Sequence, residues 1–453
     1  MKINNKRISI HSTKYILIYS LFLIFNTSCD DFVDVDLPPD LINTEEVFSS
    51  EATAQSAMKG IYAYTTSNSA ITNLFTYVGL SSDELERASY NVEQLSFATN
   101  SIDPTSSTIS GMWRGYYNII YQSNNLIINV SKSTGLSEET KTQLIGEAKF
   151  MRAFCYFYLV NLWGDVPLVL GTNYEVNRLL PRSSSTDIYI QIVDDLQDAQ
   201  TELSSELYTA AGKRTRVNKW VATALLARVM LYQENWEEAE KQANTVIGAG
   251  FYGLPPLNQV FYANSNESIF QLTNAGANRY ANVGLTGSNV NNPSYRLSSF
   301  VASKITTSDA RRAAWLTPTL NGPHKYKAYS NTTGPSTAEA NIVLRLAEMY
   351  LIRAEARAQQ DNITGLNSAE SDLNTIRSRA GLLGTEATTK TAMLQDIYTE
   401  RMRELFGEWG HRWFDVKRLG QADAVFGANK PGWTSKAAIY PIPFKDTQQN
   451  PNL

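Results

Sequence analysis

The stretch from Ala222 to Ile247, ATALLARVMLYQENWEEAEKQANTVI, decides the architecture. Its first half sets small Ala residues among Leu, Val and Met, Glu234-Asn235 breaks the run, and Ala239, Ala243 and Ile247 then recur at steps of four. That spacing predicts two helices joined by a tight turn. Small residues at their crossing let the backbones approach closely. A second copy in outline runs from Leu344 to Arg377: LRLAEMYLIRAEARAQQ, a turn through Asp361, Asn362 and Gly365, then Ala369, Leu373 and Ile376.

Paired helices of this kind follow the tetratricopeptide scheme, in which one pair cannot bury its apolar face alone and stacks on the next; two unrelated hairpins are the alternative. Further helices are expected from Glu51 through Ala57 and Ile61 to Tyr64, and from Trp113 with Tyr116, Ile120, Asn124 and Ile127 on one face. Others follow from Glu138 to Trp163, from Thr186 to Leu203 and from Asn218 to Tyr232. Gly164-Asp165 and Pro167 give the Glu138 helix a stop in the usual order. Two polar stretches, about 65–110 and 251–337, read as insertions, the second with strand-like runs such as Ser268–Leu272. The expected fold class is mostly α: a helical-pair scaffold with long loop-rich insertions and a few short strands.

The start of the chain has another character. Lys2, Lys6, Arg7 and Lys14 precede the apolar block YILIYSLFLIF, Tyr15–Phe25, which is too short to span a bilayer. Residues 1–28 therefore read as a signal peptide, 29–40 as a tether and 41–453 as one domain. Asn26-Thr27-Ser28-Cys29 resembles the lipobox of bacterial lipoproteins, which implies a diacylglycerol on the Cys29 sulfur. Buried methylenes contribute ~0.8 kcal/mol each, so several acyl chains hold firmly.

The full chain has 453 residues, 40 Lys and Arg and 44 Asp and Glu. The leader carries four of the basic residues and none of the acidic ones, so its removal takes the formal charge from −4 to −8. With no basic run beyond the leader, nucleic acid is excluded as a partner. Cys155 would be the lone remaining cysteine and reads as a small buried hydrophobe. Only His324 and His411 remain beyond the leader, too few for a His/Cys zinc site, and no metal or other cofactor is expected. No nucleophile elbow, zincin or phosphate-loop motif occurs, so the chain reads as no enzyme. Asp83-Glu84 and Asp165 could serve a hydrolase, but Asp165 fits a capping role better. Glu400 and Glu404, one turn apart among arginines and near His411, read as surface or semi-buried ion pairs. Trp113, Tyr116, Trp163, Trp220, Trp236, Trp409 and Trp413 fall on helical patterns and read as core.

The loop aromatics differ. Arg87, Tyr90 and Phe97 lie in the first insertion; Asn278, Arg279, Tyr280, Asn291, Asn292, Tyr295 and Arg296 lie in the second. A sugar ring has an apolar face and a rim of hydroxyls, so binding it takes a flat ring flanked by Asn or Arg donors, and these two loops supply both.

Lys149–Val169, KFMRAFCYFYLVNLWGDVPLV; Glu400–Arg418, ERMRELFGEWGHRWFDVKR; and Ile439–Asn450, IYPIPFKDTQQN, together resemble the SusD/RagB family of outer-membrane nutrient-binding lipoproteins, as do Asp31–Asp36 and VFSSEATAQSAMKGIY. The resemblance implies a helical domain of tetratricopeptide-like pairs, lipid-anchored at the outer-membrane surface, that captures an oligosaccharide and acts as a lid over a SusC-like TonB-dependent transporter. Asp30-Asp31 would then favour display on the outer face. A peptide-capturing, RagB-like protein is the alternative, and a lipid-anchored glycan hydrolase a further one. The chain is short for the family, so trimmed insertions are expected. Family aromatics occupy no fixed motif, so none of the loop residues is carried over individually.

Overall fold

The computed structural model describes residues 44–68, 71, 74–206, 214–272, 291–327, 339–430 and 432–453. It separates into Met1–Val47 and Phe48–Leu453. Of the first unit only the single turn Thr44–Val47 is described; the signal segment, Cys29 and the tether lie outside the described residues.

The second unit begins with α1 (Glu51–Ser67), α2 (Leu74–Ser81), β1 (Leu85–Glu86) and α3 (Val92–Ala98). Then come α4 (Ser107–Lys132), α5 (Glu138–Trp163), β2 (Val166–Pro167), β3 (Arg182–Ser183), α6 (Ser185–Glu202), α7 (Lys219–Tyr232) and α8 (Trp236–Gly248). β4 (Ser268–Leu272), β5 (Arg296–Leu297), α9 (Ser299–Lys304), α10 (Ala310–Trp315) and β6 (Asn341–Arg345) follow. The chain closes with α11 (Leu346–Gln359), α12 (Ala369–Arg379), α13 (Lys390–Leu405), α14 (His411–Arg418), α15 (Ala422–Asn429) and α16 (Phe444–Gln449).

Side-chain caps start the long helices where the sequence supplies them. Ser106, Ser137, Ser184, Asn218 and Asn235 each accept a backbone N–H from the first turn, satisfying a donor the helix cannot. α4 packs on α5, α5 on α6, α6 on α7, α7 on α8, α8 on α11, and α11 on α12 and α13. The two copies seen in the sequence are thus neighbours in one stack. Ala347, Leu351, Ala354 and Ala358 share a fully buried cluster with Ala369, Leu373, Ile376, Met393 and Ile397, the small residues setting the close approach. Burying each of the larger aliphatic chains contributes about 1.5–3 kcal/mol. Cys155 is fully buried on α5, where loss of hydration keeps the thiol well above its ordinary range.

Several expectations are corrected. The second copy's helix starts at Leu346, because Leu344 and Arg345 belong to β6, which pairs antiparallel with β4 in a wholly buried ribbon. The stretch 65–110 is only partly loop: Leu74, Phe75, Val78 and Leu80 of α2 are core, and Asn91 and Ser106 cap α3 and α4. Within 251–337, Trp315 of α10 is fully buried and donates its indole N–H to the Leu257 carbonyl, so part of that insertion is scaffold. Glu400 and Glu404 are completely buried rather than at the surface, because several elements bring cations to them. Trp220 and Trp236 are half-buried; the other five aromatics named above are core, although Trp409 stands in the turn between α13 and α14 and not on a helix. Asp165 accepts from the Ser185 N–H and hydroxyl at the start of α6, the bonding its position in a helix-ending turn suggests.

Candidate functional site

The two insertions meet through β1 and β5. Leu85 faces Leu297 and Glu86 faces Arg296 in an antiparallel pair. Ser298 locks the joint, its N–H donating to the Glu84 carbonyl at 2.8 Å and its hydroxyl to the Asp83 carbonyl at 2.6 Å. One residue beyond the paired positions stand Arg87 and Tyr295, and the register sets them against each other: the guanidinium lies 4.9 Å from the ring centroid. A cation held over a ring in this way gains about 0.5–1 kcal/mol where exposed.

Gln94 completes the cluster. Its carbonyl oxygen accepts from Arg87 and from the Asn91 N–H, and its amide donates to the Tyr295 hydroxyl at 2.9 Å. The Arg87 N–H donates to the Tyr90 hydroxyl at 2.9 Å. The structure therefore brings Arg87, Tyr90, Tyr295 and Arg296 together. Tyr295 is only 6% exposed, with its phenol raised by burial, so its ring serves as the bed on which Arg87 lies and not as an open platform. Phe97 is fully buried, its ring tilted at 4.9 Å from that of Tyr77 and edge-on at 5.6 Å from that of Tyr440, and it anchors α3 to the core. Asn291 and Asn292 are exposed, the Asn291 carbonyl accepting from Thr319. Asn278, Arg279 and Tyr280 lie outside the described residues. Reading the sequence missed Gln94, although the Asn91-x-x-Gln94 capping box that orients it was a usable signal. It also missed Val92 and Leu95, apolar yet exposed on α3.

The acids beneath are engaged. Asp83 holds Arg412 through two bonds of 2.7 Å, and Glu84 accepts the Gly407 N–H at 3.0 Å. Neither stands as one of two open carboxylates able to flank a glycosidic bond. Burial pushes the Glu84 carboxyl up to about 7 from 4.5, the Gly407 N–H acting the other way. A carboxyl raised in the folded state adds stability that is fully present below 4.5 and lost as pH rises through about 7. Glu84→Gln keeps the acceptor and cannot ionise. It is expected to match the native protein near about pH 4 and to exceed it by up to about 3 kcal/mol near about pH 8 in urea unfolding. Equal stability at both pH values would refute a protonated Glu84.

Among the described residues no cluster of three or more His, Cys, Asp or Glu is arranged to hold a metal ion, and no helix is long and apolar enough to cross a membrane.

A stacked helical frame carrying a guanidinium-on-ring surface, with Asp83 paired to Arg412 and Glu84 bonded to the Gly407 N–H, is the build of a binding protein. Residues 31–231 match a family model described as starch-binding and associating with the outer membrane, and residues 201–453 match that of the SusD family. The chain belongs to the SusD family. It is 29% identical to SusD-like protein P25 of Formosa agariphila over 97% of each chain. Among solved structures, a SusD superfamily protein from Bacteroides vulgatus shares 20% identity over 89% of this chain and 98% of its own, with a TM-score of 0.75. Surface glycan-binding protein A from Bacteroides fluxus shares 22% over 88% and 97%, with a TM-score of 0.74. These two likenesses establish the fold.

Proposed function

We propose that the protein is a lipoprotein of the outer-membrane surface, anchored through Cys29, that binds an oligosaccharide and delivers it to a SusC-like TonB-dependent transporter. The observation that carries the reading is the meeting of the two insertions at β1 and β5, which puts Arg87, Tyr90 and Gln94 beside Tyr295. A guanidinium already held over a ring and bonded to Gln94 presents planar donors whose orientation costs little on binding, suited to neighbouring sugar hydroxyls. Relatives named for binding starch and glycan support the same ligand class. A few net hydrogen bonds at ~1 kcal/mol with one or two ring contacts at ~0.5–1.5 kcal/mol reach micromolar-to-millimolar affinity. Weak capture suffices beside a transporter.

The test is electrophoresis of the full-length protein through native gels containing starch, xylan, mannan or mixed-linkage β-glucan. The native protein should be retarded by at least one polymer, and Arg87→Ala with Tyr90→Ala should weaken that affinity about tenfold while the melting temperature holds. Retardation equal to that of the native protein would remove these residues from the site.

A further inference from the structure

A second concavity, of about 740 Å³, opens between the first half of α4, the segment from Pro167 to Arg178 and the residues from Asp446 onward. It shares no residue with the cluster around Arg87. Trp113, Tyr117 and Tyr121 follow one another at steps of four along α4, so they form a single aromatic face. The Trp113 and Tyr117 rings lie 4.9 Å apart, and the Tyr117 hydroxyl donates to the Pro167 carbonyl at 2.9 Å, which fixes that ring in the wall. The third step runs out into solvent: Tyr121 is 49% exposed, and Tyr174 across the groove is 71% exposed.

Polar groups of the right kind stand alongside. Arg114 and Asn118 are exposed one position on from the aromatic series, forming a parallel stripe of planar donors. Asp446 lines the groove with one buried carboxylate oxygen that has no hydrogen-bond partner. Burial raises that carboxyl, with the Arg114 charge and the Trp113 indole drawing it back. Exposed flat rings beside amide, guanidinium and carboxylate groups fit a pyranose ring with its hydroxyl rim, whereas a purely apolar partner would leave those polar groups buried without bonds.

We propose that this groove is a second oligosaccharide-binding site, the sugar rings stacking on Tyr121 and Tyr174 and the hydroxyls bonding Arg114, Asn118 and Asp446. The proposal rests on the carbohydrate reading above and on none of its residues. Two sites on one chain would let it grip a long polymer at two points and raise its effective affinity without either site being tight.

The two tyrosines are exposed, so Tyr121→Ala with Tyr174→Ala should leave the fold intact, checked by circular dichroism and melting. On the same four polysaccharide gels this variant should bind the retarding polymer more weakly than the native protein. In the Arg87→Ala, Tyr90→Ala background it should lower the remaining affinity about tenfold. Mobility identical to that of the parent in both backgrounds overturns the groove and leaves the first site standing. If the Arg87 and Tyr90 changes have no effect and the Tyr121 and Tyr174 changes abolish retardation, the groove stands and the first placement fails. No retardation of the native protein by any of the four polymers overturns both.

Discussion

Glu404→Gln should lower the unfolding free energy by about 3–5 kcal/mol, the cost of leaving buried charges without their partner. Glu404 is fully buried on α13 and is reached by three guanidiniums: Arg345 at 2.7 Å, Arg311 at 2.8 Å and Arg379. Arg345 also binds Glu267 at 2.7 Å and Glu408 at 2.8 Å, and Lys325 bonds both Glu408 and the Glu404 carbonyl. These groups come from α10, the loop that holds Lys325, the residue before β4, β6, α12, α13 and the turn after α13 that holds Glu408, so the network ties the second insertion to the helical stack. Burial alone would raise the Glu404 carboxyl, but Arg379, Arg345 and Arg311 hold it well below the usual carboxylate range. Its contribution is present above the unfolded value of 4.5 and lost as pH falls. Glu408 is shifted the same way, against its own burial, by Arg345 and Lys325. Urea titrations at neutral pH should show the loss, and its acid limb should be shallower in the variant than in the native protein. A loss under about 1 kcal/mol would mean the cations find water or other partners.

How much of this was legible in the sequence follows from the range of the interactions. α5 was readable at both ends because its signals are local: Ser137 caps the start, and Gly164, at φ +71°, stops it. The break between α7 and α8 was equally local, with Glu234 at φ +54° and Asn235 as cap. β6 was not readable. Its run of Asn341–Arg345 merges with the periodicity of α11, and only its pairing with β4, some seventy positions earlier, makes it a strand. The depth of Glu404 was hidden for the same reason, since spacing gives the charges but not the elements that close over them.

The site divides in the same way. The residue types in the two insertions were visible, but the laying of Arg87 on Tyr295 needs the β1–β5 register between distant segments. Phe97 looked like an open ring because nothing near it in sequence announces Tyr77 and Tyr440. The groove escaped for the opposite reason. Trp113 read correctly as core on the face it shares with Tyr116, Ile120, Asn124 and Ile127, and the neighbouring series through Tyr117 to Tyr121, which turns out to solvent, was not read.

The other large effect lies in the stack. Arg228 on α7 and Glu348 on α11 are each 1% exposed and meet through two bonds of 2.6 Å, joining the two helical copies. Arg228 also donates to the Val343 carbonyl at 3.1 Å. Glu348→Ala leaves a guanidinium in the core and should cost about 3–5 kcal/mol. Replacing both, as Arg228→Met with Glu348→Leu, removes the desolvation burden together with the attraction. It should fall within about 1–2 kcal/mol of the native protein, the residual loss coming from the Val343 carbonyl left without its donor. The pair would then specify which helices meet more than it stabilises their meeting. Urea unfolding of the native protein, Arg228→Met, Glu348→Leu and the double variant closes the cycle. A double variant as unstable as either single would show that the ion pair itself contributes net stability where the two copies join, and one as unstable as the sum of the singles would show no coupling between the two side chains.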